Sequence, residues 1–217
     1  MHAPDELALR RALCDAARML YERGHNAPGD GNLSARRPGG GLLCTPSGVH
    51  KGRLEPGAIV ALDAAGAPLE AGQRPSSELR MHLAIYGARP DVAAIAHAHS
   101  PHAVALTLAG LGLEPPPLPE LVFTLGKVPT VPYASPTTSD VAEAVLPFAR
   151  ESDAFLLERH GPVALGASLD EAVMRLEVVE HTAKIWLLAR LAGAAAPLDA
   201  AEVARLRALV PAPTRPA

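Results

Sequence analysis

The segment HAHSPH at residues 97–102 sets two imidazoles two positions apart at the end of Val92 to His99, a small-residue stretch that reads as a strand. Side chains two apart on a strand leave the same face, so His97 and His99 converge closely enough to share one ion, which makes half of a metal site. A pair of ordinary polar histidines at a strand end is the other reading of so short a motif. His160, in ERHGP, closes a second apolar stretch, and Gly161 behind it allows the backbone to turn sharply beside a bound group, which makes it the natural third ligand. His102 reads as exposed or as lying behind the ligands. His2, His25, His50, His82 and His181 share no such spacing and receive no role, with His82 and His181 expected on helix surfaces.

A second chemistry is written in small polar residues. PSSEL at 75–79 puts two hydroxyls and an acid at the start of a helix, where free backbone N–H groups attract anions, so phosphate fits there; a plain helix cap is the alternative. GDGNLS at 29–34 and TPSG at 45–48 carry the same ambiguity between a turn and an anion cradle.

These groups need a scaffold. Asp5 to Arg23 has the spacing of one helical face with Gly24 as a stop, and Ser76 to Ala88 resumes it with Ser76 or Ser77 as N-cap. A helix from near His102 runs into the proline-rich GLGLEPPPLP loop, Ser139 opens another to about Arg150, and Ser168 with Glu171 forms a capping box for a long helix over 169–191. Strands are expected within 31–44, at 58–63 and 67–69 as a hairpin, at 92–99, at 128–133, and at 154–165 as one strand interrupted by Gly-Pro. Some strands sit at hairpin distance and others are separated by whole helices, so the expected architecture is α/β, a mixed sheet covered by helices.

Composition narrows the partners. Twenty basic against 23 acidic residues, with no basic run, argue against nucleic acid, and seven aromatic residues are too few for affinity by stacking. Ala103 to Leu113 is the longest nearly apolar stretch and is too short to span a bilayer, so no membrane association is expected. The opening MHAPDELALRRAL lacks a basic leader and an apolar core, and Cys14 and Cys44 make no disulfide framework; a reducing cytoplasm is the simplest location. One domain over 1–210 with a frayed tail at 211–217 is expected.

In chain order, GNLS at 31–34, TPSG at 45–48, PSSE at 75–78, HAH at 97–99 and HG at 160–161 resemble the class II aldolase/adducin family over roughly residues 5–195. The resemblance implies an α/β/α sandwich around a mostly antiparallel sheet, assembled as a homotetramer with active sites between subunits. It implies a divalent metal, usually zinc with Fe, Mn or Co as alternatives, held by His97, His99 and His160. Glu78 matches the acid that ligates the resting metal and then acts as base, and Gly31, Asn32, Ser47, Gly48, Ser76 and Ser77 match positions that hold a sugar phosphate. The implied reaction is that of a fuculose-phosphate-type aldolase, giving dihydroxyacetone phosphate and an aldehyde. Such aldolases carry a tyrosine acid before the strand at 128–133; here the stretch reads PPPLPELVFTLG, and Glu120 is its ionisable group, a candidate acid for a neighbouring subunit's site. A methylthioribulose-phosphate-dehydratase-like lyase and a non-catalytic adducin-like module are the alternatives.

Overall fold

The structure is a computed structural model that describes residues 4–193 and 195–209. The expected tail at 211–217 lies outside the described residues. In chain order the elements are α1 (Pro4–Glu22), β1 (Asn32–Arg36), β2 (Leu42–Cys44), β3 (Val60–Leu62), α2 (Leu79–Ala88), β4 (Ala94–His97), α3 (Pro101–Leu108), α4 (Pro119–Leu125), β5 (Thr130–Val131), α5 (Ser139–Glu151), β6 (Ala154–Leu157), β7 (Gly161–Gly166), α6 (Leu169–Leu191) and α7 (Ala200–Ala208). The seven strands form one sheet in the order β3-β2-β1-β4-β7-β6-β5. Every neighbouring pair is antiparallel except β5 and β6, so the sheet is mixed and mostly antiparallel, as expected.

Alternation along the strands divides the core into two layers. Leu33, Ala35, Ala94, Ala96, Leu156 and Ala164 face α1, α3, α4 and α6, while Ile95, Phe155, Leu157, Val163 and Leu165 face α2 and α5. The even positions of β1, Asn32 and Ser34, therefore meet α2, where Glu78 and His82 stand four residues apart. Strand residues two apart thus oppose helix positions one turn apart, which places the acid and His82 over successive rungs of β1.

Caps and turns fix the ends. Ser168 Oγ accepts from Glu171 N at 3.1 Å, and the Glu171 carboxylate accepts from Ala167 N at 2.6 Å, completing the capping box one residue upstream of the usual position. The Glu180 carboxylate of α6 accepts from the backbone N–H groups of His102 and Ala103, tying down the start of α3 directly after the HxH segment. No helix among the described residues is long and apolar enough to cross a membrane.

Several expectations are corrected. The stretch 154–165 is a hairpin, β6 and β7, because Arg159 at φ 62° and Gly161 at φ 139° reverse the chain between them. Helix α2 begins at Leu79 with Glu78 as its N-cap: Ser76 Oγ accepts from Glu78 N and holds the Ser-Ser-Glu segment as a turn. The second arm of the 58–69 hairpin shrinks to a single bridge, Leu62 to Pro68, and the strand expected at 128–133 to Thr130–Val131. Helix α4 was not anticipated; it starts at Pro119, suited to a first helical position, and buries Leu121, Val122 and Leu125. His82 is fully buried instead of lying on a helix surface, with Nδ1 2.6 Å from Ser34 Oγ.

Candidate metal centre and phosphate cleft

His97 ends β4, His99 lies two residues beyond, and His160 occupies the turn from β6 to β7; Glu78 arrives from the N-terminus of α2. Pairing of β4 with β7 brings the HxH segment beside that turn, and Asn32 is register partner of His97. One potential ligand atom from each of Glu78, His97, His99 and His160 lies within 4.8 Å of the other three. The three imidazole rings stand 4.6–5.1 Å apart, centroid to centroid.

Outer contacts orient these ligands. His97 Nδ1 lies 2.9 Å from Pro162 O, where it donates, leaving Nε2 for the centre. His99 Nδ1 is 3.5 Å from Asp30 Oδ2, and its backbone N–H donates to Asn26 Oδ1 at 2.9 Å. Gly161 must be glycine: a Cβ there would stand 2.1 Å from Ala98 O. Asn32 Nδ2 donates to Glu78 Oε2 at 2.7 Å, while Glu78 Oε1 lies 3.3 Å from His160 Nε2.

The donor set tests well against a divalent cation. His97 Nε2, His99 Nε2 and Glu78 Oε1 are buried and make no hydrogen bond, although all three point into one small space. Buried polar atoms are rarely left so, and three neutral nitrogens with one displaceable carboxylate suit zinc or a similar ion. Burial opposes charge on Glu78, but His97, His160 and the Asn32 amide prevail and hold its carboxyl well below the usual carboxylate range. Burial drives His160 down to about 4, helped by charge on His97, and His99 likewise to about 4. Burial also opposes charge on His97, yet Glu78 beside it raises it above the usual histidine value. Within the cluster, then, Glu78 and His97 favour each other's charged forms, 3.3 Å apart, while burial disfavours charge on His99 and His160.

A cleft of about 190 Å³ opens beside this cluster. Its lining brings together all six anticipated phosphate-site residues, Gly31, Asn32, Ser47, Gly48, Ser76 and Ser77, with Glu78, His99 and His160. Gly31 and Gly48 take positive φ, 65° and 69°, and a Cβ on Gly31 would strike the Asn26 side chain at 2.6 Å. Asn26 thus links the phosphate-side loop to the HxH backbone. Glu120 is not in this cleft; it lines a separate cavity of about 830 Å³ with residues of α4 and α6, so within one chain it does not reach the cluster. Sequence reading passed over Asp30, Asn26 and Lys51, though all three stand inside or beside the motifs. Lys51 follows directly on TPSGVH, and that position was the available signal.

Fold and cleft together define an α/β protein built around a candidate divalent-metal site with a hydroxyl-rich pocket beside it. Residues 11–187 match the model for the Class II Aldolase and Adducin N-terminal domain, and the chain belongs to that family. It is 38% identical over 186 residues to a 3-oxo-tetronate 4-phosphate decarboxylase of Cupriavidus necator, covering 84% of this chain and 85% of that one. Against an L-fuculose phosphate aldolase of Escherichia coli it is 33% identical over 181 residues, 82% of either chain. The crystal structure of YgbL from Escherichia coli, a candidate aldolase/epimerase/decarboxylase, superposes with a TM-score of 0.85 at 37% identity, covering 93% of this chain and 99% of that one.

Proposed function

We propose that this protein is a zinc-type, metal-dependent lyase that removes CO2 from a 3-oxo sugar-acid phosphate of the 3-oxo-tetronate 4-phosphate kind, yielding dihydroxyacetone phosphate. The observation that carries the reading is one cleft in which a Glu/His3 cluster with unsatisfied ligand atoms adjoins a phosphate-sized cradle of hydroxyls and glycines. The similarity to the Cupriavidus decarboxylase supports the choice of substrate.

His97, His99 and His160 would hold a divalent ion, which would supply Lewis acidity to the carbonyl two bonds from the departing carboxylate. The chain does the rest. Ser47, Ser76 and Ser77 offer hydroxyl donors and Gly48 lines the same cleft, so the phosphate end would meet hydroxyls directly. When the C1–C2 bond breaks, its electron pair stays on C2 and CO2 leaves; one proton from water completes the product. Glu78, ionised at rest and aimed by Asn32, is the group placed to carry that proton to C2.

The aldolase reading uses the same cleft but asks more of it. Splitting off an aldehyde requires a second group to take the hydroxyl proton of the departing half, whereas a carboxylate leaves already ionised. Beyond Glu78, the carboxylate lining the cleft is Asp30, which lies against His99. With Asp30 turned to His99, the candidate for that second proton acceptor is Glu120 of a neighbouring copy in a homotetramer.

Incubating zinc-loaded protein with 3-oxo-tetronate 4-phosphate and with fuculose 1-phosphate, with and without chelator, decides between them. Chelator-sensitive CO2 release from the first is expected. Aldehyde release from the second without CO2 from the first would return the protein to the aldolases.

A further inference from the structure

We propose that Lys51 is the cation of the phosphate site, a buried positioning residue that gathers the Gly29 to Val49 loops around its ammonium and supplies the positive charge the hydroxyl cradle lacks. The inference rests on the sugar-phosphate reading above.

Lys51 begins a single 3-10 turn, Lys51–Arg53, and is 3% exposed. Its Nζ donates to the carbonyls of Gly29 at 3.2 Å, Pro46 at 3.4 Å and Val49 at 3.1 Å. Three protons meet three acceptors, so the ammonium is satisfied but not neutralised: among the described residues it forms no ion pair. Burying an ammonium with no carboxylate in contact is costly: burial pushes its pKa down, and the Asp30 carboxylate in the same cleft offsets this only in part. A loop clamp alone needs no charge; a dianion in the adjoining cleft gives the charge a purpose.

Position agrees. Lys51 lines the same cleft as Ser47, Gly48, Ser76 and Ser77, and it is the one Lys or Arg in that lining, against the acids Asp30 and Glu78. Its carbonyl partners flank both anticipated phosphate loops: Gly29 precedes Gly31 and Asn32, while Pro46 and Val49 bracket Ser47 and Gly48. One side chain therefore fixes the spacing of the two loops. With all its protons engaged, it acts on the phosphate through space across a poorly screened distance, and direct contacts come from the hydroxyls.

The test is calorimetric binding of inorganic phosphate to zinc-loaded wild-type, Lys51→Gln and Lys51→Arg proteins. Any phosphate contact with the metal is common to all three, so differences report the side chain. Lys51→Gln, which keeps two donors and loses the charge, is expected to bind phosphate about tenfold more weakly or worse with zinc stoichiometry unchanged, and Lys51→Arg to recover most of the loss. Phosphate affinity in the Gln variant equal to wild type overturns the proposal, as does a folded, zinc-loaded Arg variant as weak as Gln. Should neither variant fold, wild-type protein decides by competition: sulfate, doubly charged, is expected to displace phosphate better than perchlorate, a singly charged tetrahedral anion, and equal competition overturns the proposal. Absence of phosphate binding by wild-type protein sinks the sugar-phosphate reading itself; the other outcomes leave that reading standing.

Discussion

The Asn32 side-chain amide donates to Glu78 Oε2 at 2.7 Å, joining the first residue of β1 to the N-cap of α2. Asn32 matches a phosphate position in the family pattern, yet its donor is committed to the acid, and its Oδ1 is buried without a partner. Glu78 Oε2 is thereby held, and Oε1 faces His160. Replacing Asn32 with Ala releases the carboxylate without touching a metal ligand. The expected result is a 10- to 100-fold fall in kcat with zinc still bound at one equivalent, read by steady-state kinetics beside metal analysis, within the ~10–100-fold range of outer-contact losses. A loss confined to KM would return Asn32 to the phosphate.

How far the sequence revealed this arrangement can be judged from the same residues. The HxH pair and HG stood out because imidazoles two apart are a distinctive pattern; β4 ends at His97 and not at His99, and its pairing with β7 brings His160 beside both. The role of Asn32 was not legible, since it depends on register between β1 and β4 and on α2 starting at Leu79. Helix α4 was hidden because it is only seven residues long and its Val122, Phe123 and Thr124 are weak helix formers, so packing supplies the stability. His82 was misplaced on the surface because α2 is buried on more than one side, which blurs the apolar stripe that periodicity reads.

Zinc binding should release a proton. Glu78 beside His97 raises its pKa and favours its protonated form, and an imidazole must give up that proton to bind metal. Titrating zinc at neutral pH in two buffers of different ionisation enthalpy is expected to show net proton release in wild type. His97→Ala should abolish that release and lower zinc stoichiometry. Retention of full zinc by His97→Ala and by His160→Ala would remove both from the ligand set.

Metal-free protein should also lose stability on the acid side. Burial holds His99 and His160 at about 4 when folded, against the ordinary histidine value of about 6.5 when unfolded, so the unfolded chain takes up more protons between those values. Their contribution is fully present above about pH 6.5 and disappears as pH falls through about 4. His97 runs the other way: its raised pKa stabilises below the unfolded value and fades as pH climbs through the folded one. A chemical denaturation series on chelated protein should therefore slope downward from pH 6.5 to 4, and the slope should shrink in the double variant His99→Gln, His160→Gln.

Gly161→Ala should damage fold and centre together. Its φ of 139° is strained for any L side chain, and the added methyl would press on Ala98 O at 2.1 Å, between His97 and His99. A loss of about 2 kcal/mol or more in unfolding free energy is expected, with weaker zinc binding. Gly29→Ala is the matched control, since nothing stands within 4 Å of its added methyl, and it should unfold like wild type.

Glu120 separates the two chemistries most cleanly. It is exposed in the first turn of α4 and lines the 830 Å³ cavity with Arg23, His102 and Glu180, away from the metal cleft of its own chain. An aldolase that lacks the family tyrosine needs another group to take the proton from the departing aldehyde oxygen, and only a neighbouring copy could bring Glu120 to that point. A decarboxylase has no such oxygen to serve, because CO2 departs without taking or giving a proton. Glu120→Gln is therefore expected to leave the rate of CO2 release within about twofold of wild type, since it removes no interaction formed in the transition state. A fall of 100-fold or more in aldehyde release from fuculose 1-phosphate with unchanged zinc content, about the size expected on losing a proton-transfer group, would place Glu120 in a neighbour's active site and favour the aldolase.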